Sequence, residues 1–504
     1  MDTRTLTLLL NTLLLCGAAC GISLPLGTAL AWLLVRTDLP GRRVGLILLG
    51  LMLFVPLYLQ TAAWQAGFGI QGWYTLVADA PAWLDGFRGA VWVHAMAAVP
   101  WVVLIVGVGL WLVEPELEEQ TLLDGSSRQV FLRVTLRGAA PAVGVAALWV
   151  AIVAAGEMTV TDLFMVRTYA EELYTQFAIG PDVDAAPLGV WPGVVLTVLL
   201  VAAGLTVCSE LAPRNRPLTL RRRWVFPLGP WKIPAAVLAA AVLALLVGLP
   251  LLNLCYKAGV QVTQLDVERV RTFSPGKCFS IVITSPWQYR RELGWSLAIG
   301  TLAATAAVGA ATPLAWFARS GKRRGVPVLV VMAVCLALPG PLVALGLIRL
   351  LNRPEFPLLV FLYDRSVLAP WLALLVRSLP LATLVMWHAL RTVPEEMLDS
   401  AAVDGAGPLG RLCRVALPCR LSAVALAWVV ALAVALGDLA ASILVVPPGV
   451  TTLSIQIFDL LHSGVEDQVA GISLALVVLF AVSAAVAAGL VRRLSRQPHP
   501  AIKG

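Results

Sequence analysis

The sequence predicts an all-α, polytopic membrane protein of about eleven transmembrane helices arranged as two parallel repeats. Three observations carry that expectation. Of the 504 residues 59% are hydrophobic and 13% charged, about half the charge of an average soluble domain, and the mean hydropathy is +0.86. Apolar runs long enough to cross a bilayer recur along the whole length. Two similar polar segments, 115–137 and 394–418, interrupt those runs 280 residues apart, which is how an internal duplication reads. The net charge of +8 is therefore a matter of topology. No nucleic-acid partner is expected, since no arginine-rich stretch is interleaved with aromatics.

Taken in order, the spans are expected at 7–35, 44–66, 89–113, 138–157, 189–208, 232–256, 292–318, 326–351, 367–391, 421–447 and 468–491. The longest must tilt or project beyond the hydrocarbon. With the 394–418 segment in the cytoplasm, alternation places most of the 37 lysines and arginines on that side, among them Arg36, Arg42, Arg43, Arg133, Arg137, Arg319, Arg323, Arg391 and Arg414. That is the positive-inside distribution. It also puts the N-terminus outside, so either a first helix was lost or the start lies upstream of Met1. The domains are then 1–210, a first repeat of five spans; 211–231, a basic cytoplasmic linker; and 232–504, a second repeat of six spans. The linker LAPRNRPLTLRRRWVFPLGPW reads as solvated positive-inside charge, with a phospholipid-binding patch as the alternative.

The second polar segment, PEEMLDSAAVDGAGPLGRLCRVALP, predicts a short helix up to Asp404 with Met397, Leu398, Ala401 and Ala402 on one face. Gly405 supplies a left-handed stop, and Pro408 opens a second helix at a position where its lost N–H costs nothing. Leu409, Leu412, Cys413, Ala416 and Leu417 then form one stripe. In the first segment, PELEEQTLLDGSSRQVFLRVTLR, Asp124-Gly125 stands where Asp404-Gly405 does, Glu119-Gln120-Thr121 where Asp399-Ser400-Ala401 does, and Leu136-Arg137 where Leu417-Pro418 does. Ala31-Trp32 likewise matches Ala315-Trp316, Pro100 matches Pro380, and Gly156-Glu157 matches Gly437-Asp438. Six spans separate equivalent points, so the repeats run parallel.

No chemistry of bond making is written in the chain. Neither Gly276-Lys277 nor Gly321-Lys322 completes a phosphate-cradling GxxxxGK[ST] loop. The histidines His94, His388, His462 and His499 are scattered, and the eight cysteines show neither CxxC nor zinc spacing. No catalytic residue, metal site or cofactor is therefore expected. Cys255 and Cys278 share one external segment and either pair or stay free. No cleavable leader is recognisable. Ionisable groups within apolar runs are functional candidates by default. Glu157 and Asp438 either line the pathway or its gate or mark the interfacial end of a helix, and Arg377 needs a partner inside its span.

The 394–418 segment resembles the EAA loop of ABC-importer permeases, roughly E-A-A, two residues, D-G, and Leu-Pro about twelve residues after the Gly. Asp399-Ser400-Ala401, Asp404-Gly405 and Leu417-Pro418 fit it with mild departures. NTLLLCGAACGISLPLGTALAWLLVRTDLPGRR and GDLAASILVVPPGVTTLSIQIFDLL extend the resemblance over most of the chain, toward the fused double permeases of ferric-iron importers. The resemblance implies the type I importer permease fold and a bacterial inner-membrane location. It implies two copies of a cytoplasmic ABC ATPase, docked through Glu119, Asp124, Gly125, Asp399, Ala401, Asp404, Gly405 and Pro418. ATP and Mg would be held in that partner, and a periplasmic binding protein would deliver the solute. Ferric iron is the expected solute, with thiamine, polyamines and oxyanions as alternatives. A gradient-driven secondary transporter is the other class, but it has no reason for two matched D-G loops.

Overall fold

The computed structural model describes residues 3–179, 224–265 and 268–496, with positions 195 and 199. Contacts divide the chain into two compact units, residues 1–285 with 460–474, and residues 286–459 with 475–504.

In the first unit the helices α1 (Thr3–Arg36), α2 (Arg42–Met52), α3 (Leu57–Phe68), α4 (Gly86–Leu112), α5 (Pro115–Asp124), α6 (Leu136–Gly156), α7 (Tyr169–Ile179) and α8 (Gly229–Gly259) follow in order. The core lies among α1, α4 and α6, where Leu15, Ala19, Ala31, Val93, Val99, Val102, Val106 and Ala146 are buried. Small residues at such crossings let backbones approach, and packing rather than water exclusion drives helix association in lipid.

The expected span 44–66 is not one straight helix. Helix α2 and the segment Leu57–Val77, which opens with α3, meet at 105°, because Pro56 is extended, lacks an N–H and disfavours helix in the residue before it. The expected span 189–208 lies outside the described residues.

Helix α8, the opening helix of the expected second repeat, packs inside the first unit. Its fully buried Asn253 donates to the carbonyl of Ala63 at 3.1 Å and accepts from Trp73 Nε1 at 3.0 Å. A side chain at Gly67 would sit 2.4 Å from that amide. After α8 the chain departs from all-α. Strands β1 (Val260–Leu265) and β2 (Glu268–Phe273) form an antiparallel hairpin with Val260 opposite Phe273, and Phe273 stacks on Tyr256 at 5.9 Å. Helix α9 (Pro275–Gln288) follows. Cys255 and Cys278 are both free thiols, packed together against Leu254 and Ala258.

The second unit holds α10 (Arg290–Arg319), α11 (Lys322–Ala337), α12 (Gly340–Leu351), α13 (Pro357–Arg365), α14 (Leu368–Arg391), α15 (Glu395–Val403) and α16 (Leu421–Gly437). Helices α17 (Leu453–His462) and α18 (Glu466–Arg496) close the chain. An alanine-rich core, Ala304, Ala307, Ala311, Ala315, Ala382, Ala427 and Ala431 with Met386 and Leu390, joins α10, α14 and α16. The expected span 326–351 breaks into α11 and α12 at 103°, where Leu338 and Pro339 are extended. The expected span 421–447 ends at Gly437, ten residues early. Its Asp438 turns back to bond the following backbone, and Pro447-Pro448 excludes a continued helix. Among the described residues six helices are long and apolar enough to cross a bilayer, or nine if each bent pair is one span.

Candidate functional site

The segment 394–418 forms a helix–turn–helix. Glu395 and Glu396 occupy the first turn of α15, where negative charge suits the helix dipole. Gly405 sits at φ +84, its N–H bonds to the carbonyl of Ala402 at 3.0 Å, and that of Ala406 to Ala401 at 2.9 Å. These two bonds are a Schellman cap, which needs a left-handed residue just past the helix end. The expected stop at Gly405 and the helix start at Pro408 are both present. Leu398, Leu412 and Ala416 are buried against Leu390 and Val393, while Asp399, Asp404, Gly405 and Pro418 are exposed and Ala401 is half-buried. A π-helical turn, Arg411–Ala416, precedes Pro418. A break at Arg420 then turns the chain by 83° into α16.

The segment 115–137 has the same outline and a different chemistry. Helix α5 ends at Asp124, and Gly125 is extended at φ −146. A capping box follows, with Gln129 N–H on Ser126 Oγ at 3.4 Å and Ser126 N–H on Gln129 Oε1 at 3.0 Å. Such reciprocal bonds satisfy two orphan donors of the next helix start. A π-helical turn, Phe131–Thr135, leads into α6, and Ser127–Gly156 runs on without a sharp bend. Arg137 stands where the second loop has Pro418, so nothing forces a break there.

Glu119 and Asp124 are exposed, but their neighbour Glu118 is not. Glu118 has no exposed surface and Arg36 only 1%. Arg36 Nη2 donates to Glu118 Oε1 at 2.6 Å, Arg36 Nη1 to the carbonyl of Leu110 at 2.8 Å, and Thr135 Oγ1 to Glu118 Oε1 at 2.6 Å. The loop is thereby bolted to the ends of α1 and α4. Sequence reasoning missed this pair, although a signal was present. Pro115, Glu118 and Leu122 fall on the inward stripe of α5, and a carboxylate there demands a cation. It also missed Leu123 and Val403, each directly before its Asp-Gly and 86% and 89% exposed. An apolar side chain so placed beside an exposed carboxylate suits a partner surface.

Glu157 and Asp438 end two spans. The Glu157 carboxylate accepts the N–H groups of Thr159 and Val160 at 2.7 and 2.9 Å, 3.7 Å from Nε2 of buried His94. Asp438 accepts the N–H of Ala441 at 2.9 Å and Nε of Arg377 at 2.8 Å. Arg377 Nη1 donates on to the carbonyl of Leu338 at 2.9 Å, at the break between α11 and α12. Asp438 thus pairs with a base from the neighbouring span, Glu157 lies near one without a hydrogen bond to it, and Arg377 has the partner its position requires. Beyond Glu157, Arg167 lies 3.4 Å from Glu171, whose carboxyl is pushed above the usual range by burial.

Residues 297–498 match the family described as binding-protein-dependent transport system inner membrane component. The chain is 28% identical over 212 residues to the putrescine transport system permease protein PotI of Escherichia coli (strain K12). That stretch covers 41% of this chain and 73% of the relative. The same protein from Escherichia coli O6:H1 matches equally. Both loop residues Asp404-Gly405 and the pair Arg377–Asp438 fall within the family match. By that match the chain is a multi-pass transport subunit of the inner membrane and not an enzyme, and its residues 297–498 carry the permease component of a binding-protein-dependent transport system.

Proposed function

We propose that the whole chain is a fused permease of an ATP-driven importer, both halves in one polypeptide, with an ATPase contact in each. The observation that carries this reading is the pair of loops 280 residues apart. In each, a short helix ends in an Asp-Gly whose Asp is exposed, an apolar residue protrudes just before it, and a π-helical turn leads toward a span. Two such tips suit two ATPase subunits, whose ATP-driven approach would move the loops and, through them, the spans. The exposed residues Glu119, Asp124, Asp399, Asp404 and Gly405 are the contacts, and Leu123 and Val403 join them.

In this reading a periplasmic binding protein presents the solute, and the carboxylates Glu157 and Asp438 hold the ends of gate helices. The resemblance of the long N- and C-terminal segments favours ferric iron. The putrescine permease is similar over 212 residues of this chain, and polyamine is the alternative.

The test is to purify the tagged chain in mild detergent, identify what travels with it by mass spectrometry, and assay uptake of radiolabelled iron and putrescine in cells. An ATP-binding subunit recovered with wild type and lost with Gly405→Pro or Asp404→Arg supports the reading. Recovery of no ATPase, with uptake that follows an ion gradient, overturns it.

A further inference from the structure

We infer that Phe226, in the segment Trp224 to Leu228 ahead of α8, is a positioning residue for the first ATPase-contact loop. The inference rests on the coupling reading of that loop. Trp224 to Leu228 runs beside the end of α1, with Phe226 bridged in parallel to Thr37. The Phe226 N–H donates to the carbonyl of Arg36 at 2.8 Å, and its buried ring lies 5.7 Å from the Arg36 guanidinium. Arg36 is the residue whose side chain holds Glu118. It is therefore gripped through its backbone by the linker and grips the loop through its side chain.

The same ring completes a second contact. Phe131, the first residue of the π-helical turn, has its ring 4.8 Å from Trp32 and 6.1 Å from Phe226. Phe226 thus touches both fixings of the loop, the ion pair at Glu118 and the aromatic seat of Phe131. Two further bonds pin the segment. The Asp38 carboxylate accepts the N–H of Leu228 at 3.0 Å and the ammonium of Lys232 at 3.0 Å. The second loop is seated instead by Leu398, Leu412 and Ala416 on apolar neighbours of its own unit. A residue of the linker therefore stiffens one loop specifically. A loop that must transmit a partner's movement to α6 needs that stiffness, since slack in the seat would absorb the displacement.

The experiment is amide hydrogen exchange by mass spectrometry on the full chain in detergent, comparing wild type, Phe226→Ala and Phe226→Leu. Exchange reports local opening. Phe226→Ala should raise exchange across 115–135 about tenfold and leave 395–416 unchanged, with Phe226→Leu showing a smaller rise in the same loop. With the co-purifying ATPase bound, Phe226→Ala should lower solute transported per ATP hydrolysed several-fold, while capture of the ATPase persists. Unchanged exchange at 115–135, or an equal rise in both loops, overturns the inference, and so does full coupling in a chain whose first loop has loosened. If Phe226→Ala does not insert, Phe226→Leu decides by the same comparison. Should wild type capture no ATPase, the coupling reading fails while the exchange data still decide what Phe226 holds.

Discussion

The amide of Ala406 donates to the carbonyl of Ala401 across 2.9 Å, and the bond closes only because Gly405 between them is left-handed. An L side chain in that region costs about 1–2 kcal/mol. Gly405→Ala should weaken ATPase capture by about tenfold at 1.4 kcal/mol, and Gly405→Asn, which tolerates the conformation better, by less. Titrating the partner onto immobilised permease measures both, and equal affinity for all three chains would refute the role of the cap.

At Gly125 the reason for glycine is different. The backbone is extended, and an added Cβ would meet Gln129 Oε1 at 2.6 Å and the carbonyl of Thr121 at 3.1 Å. The nearer obstacle is the end of a flexible side chain. Gly125→Ala should therefore cost less than Gly405→Ala, and Gln129→Ala should relieve part of it. The double variant should capture ATPase better than Gly125→Ala alone, a non-additivity read from the same titration.

Breaking Arg36–Glu118 from one side should be severe. Glu118→Ala leaves a buried guanidinium without its anion, at about 3–5 kcal/mol. The second loop shows the apolar solution, with Leu398 and Ala416 in the places of Glu118 and Thr135. Arg36→Met with Glu118→Leu should recover most of the loss, since well-packed apolar replacements of buried pairs are commonly neutral. Thermal unfolding in detergent separates the single from the double variant.

Arg377 is a case where lysine should fail. Its guanidinium reaches Asp438 with one nitrogen and the carbonyl of Leu338 with another, a fork that a single ammonium does not span. Arg377→Lys should fall close to Arg377→Met in thermal stability and uptake, and Asp438→Asn should lose the ion pair while keeping the Ala441 bond. A lysine variant with wild-type uptake would rule out the two-ended role.

The linker contact at Asp38 carries a pH signature. The Leu228 N–H and Lys232 hold the Asp38 carboxyl below its ordinary value of 3.8. A lowered folded value means the contact contributes above the unfolded pKa and is lost as pH falls through the folded one. Protection of the Leu228 amide, corrected for intrinsic exchange, should thus be flat from about pH 5 to 8 and fall only below 3.8. Asp38→Asn should lower it throughout.

The coarse plan was legible in the sequence because hydropathy and punctuation are local. Gly405 and Pro408 announced the cap and the restart, and the long apolar runs announced their helices. The breaks were also punctuated, by Pro56 and by Pro339-Gly340-Pro341, but an otherwise unbroken apolar run outweighed them in placing spans 44–66 and 326–351. The hairpin at Val260–Phe273 was hidden by its mixed polarity. What stayed illegible was pairing. Nothing near Arg36 names Glu118, and nothing near Arg377 names Asp438, because those partners are chosen by how helices cross. Asn253 belongs to the same class, a polar residue whose partners lie about 180 positions upstream.

The place of α8 within the first unit has a consequence for how the protein is made. Asn253 fills the groove at Gly67, so α1 to α6 leave the ribosome with that groove open, and it closes only after residue 253 has been synthesised. The unit also counts residues 460–474 among its members, so it is complete only after those residues have been synthesised. A message cut ahead of α8 would leave this unit without it. The order of the chain is then an order of assembly, which presents α8 to its groove before α10 to α16 have emerged.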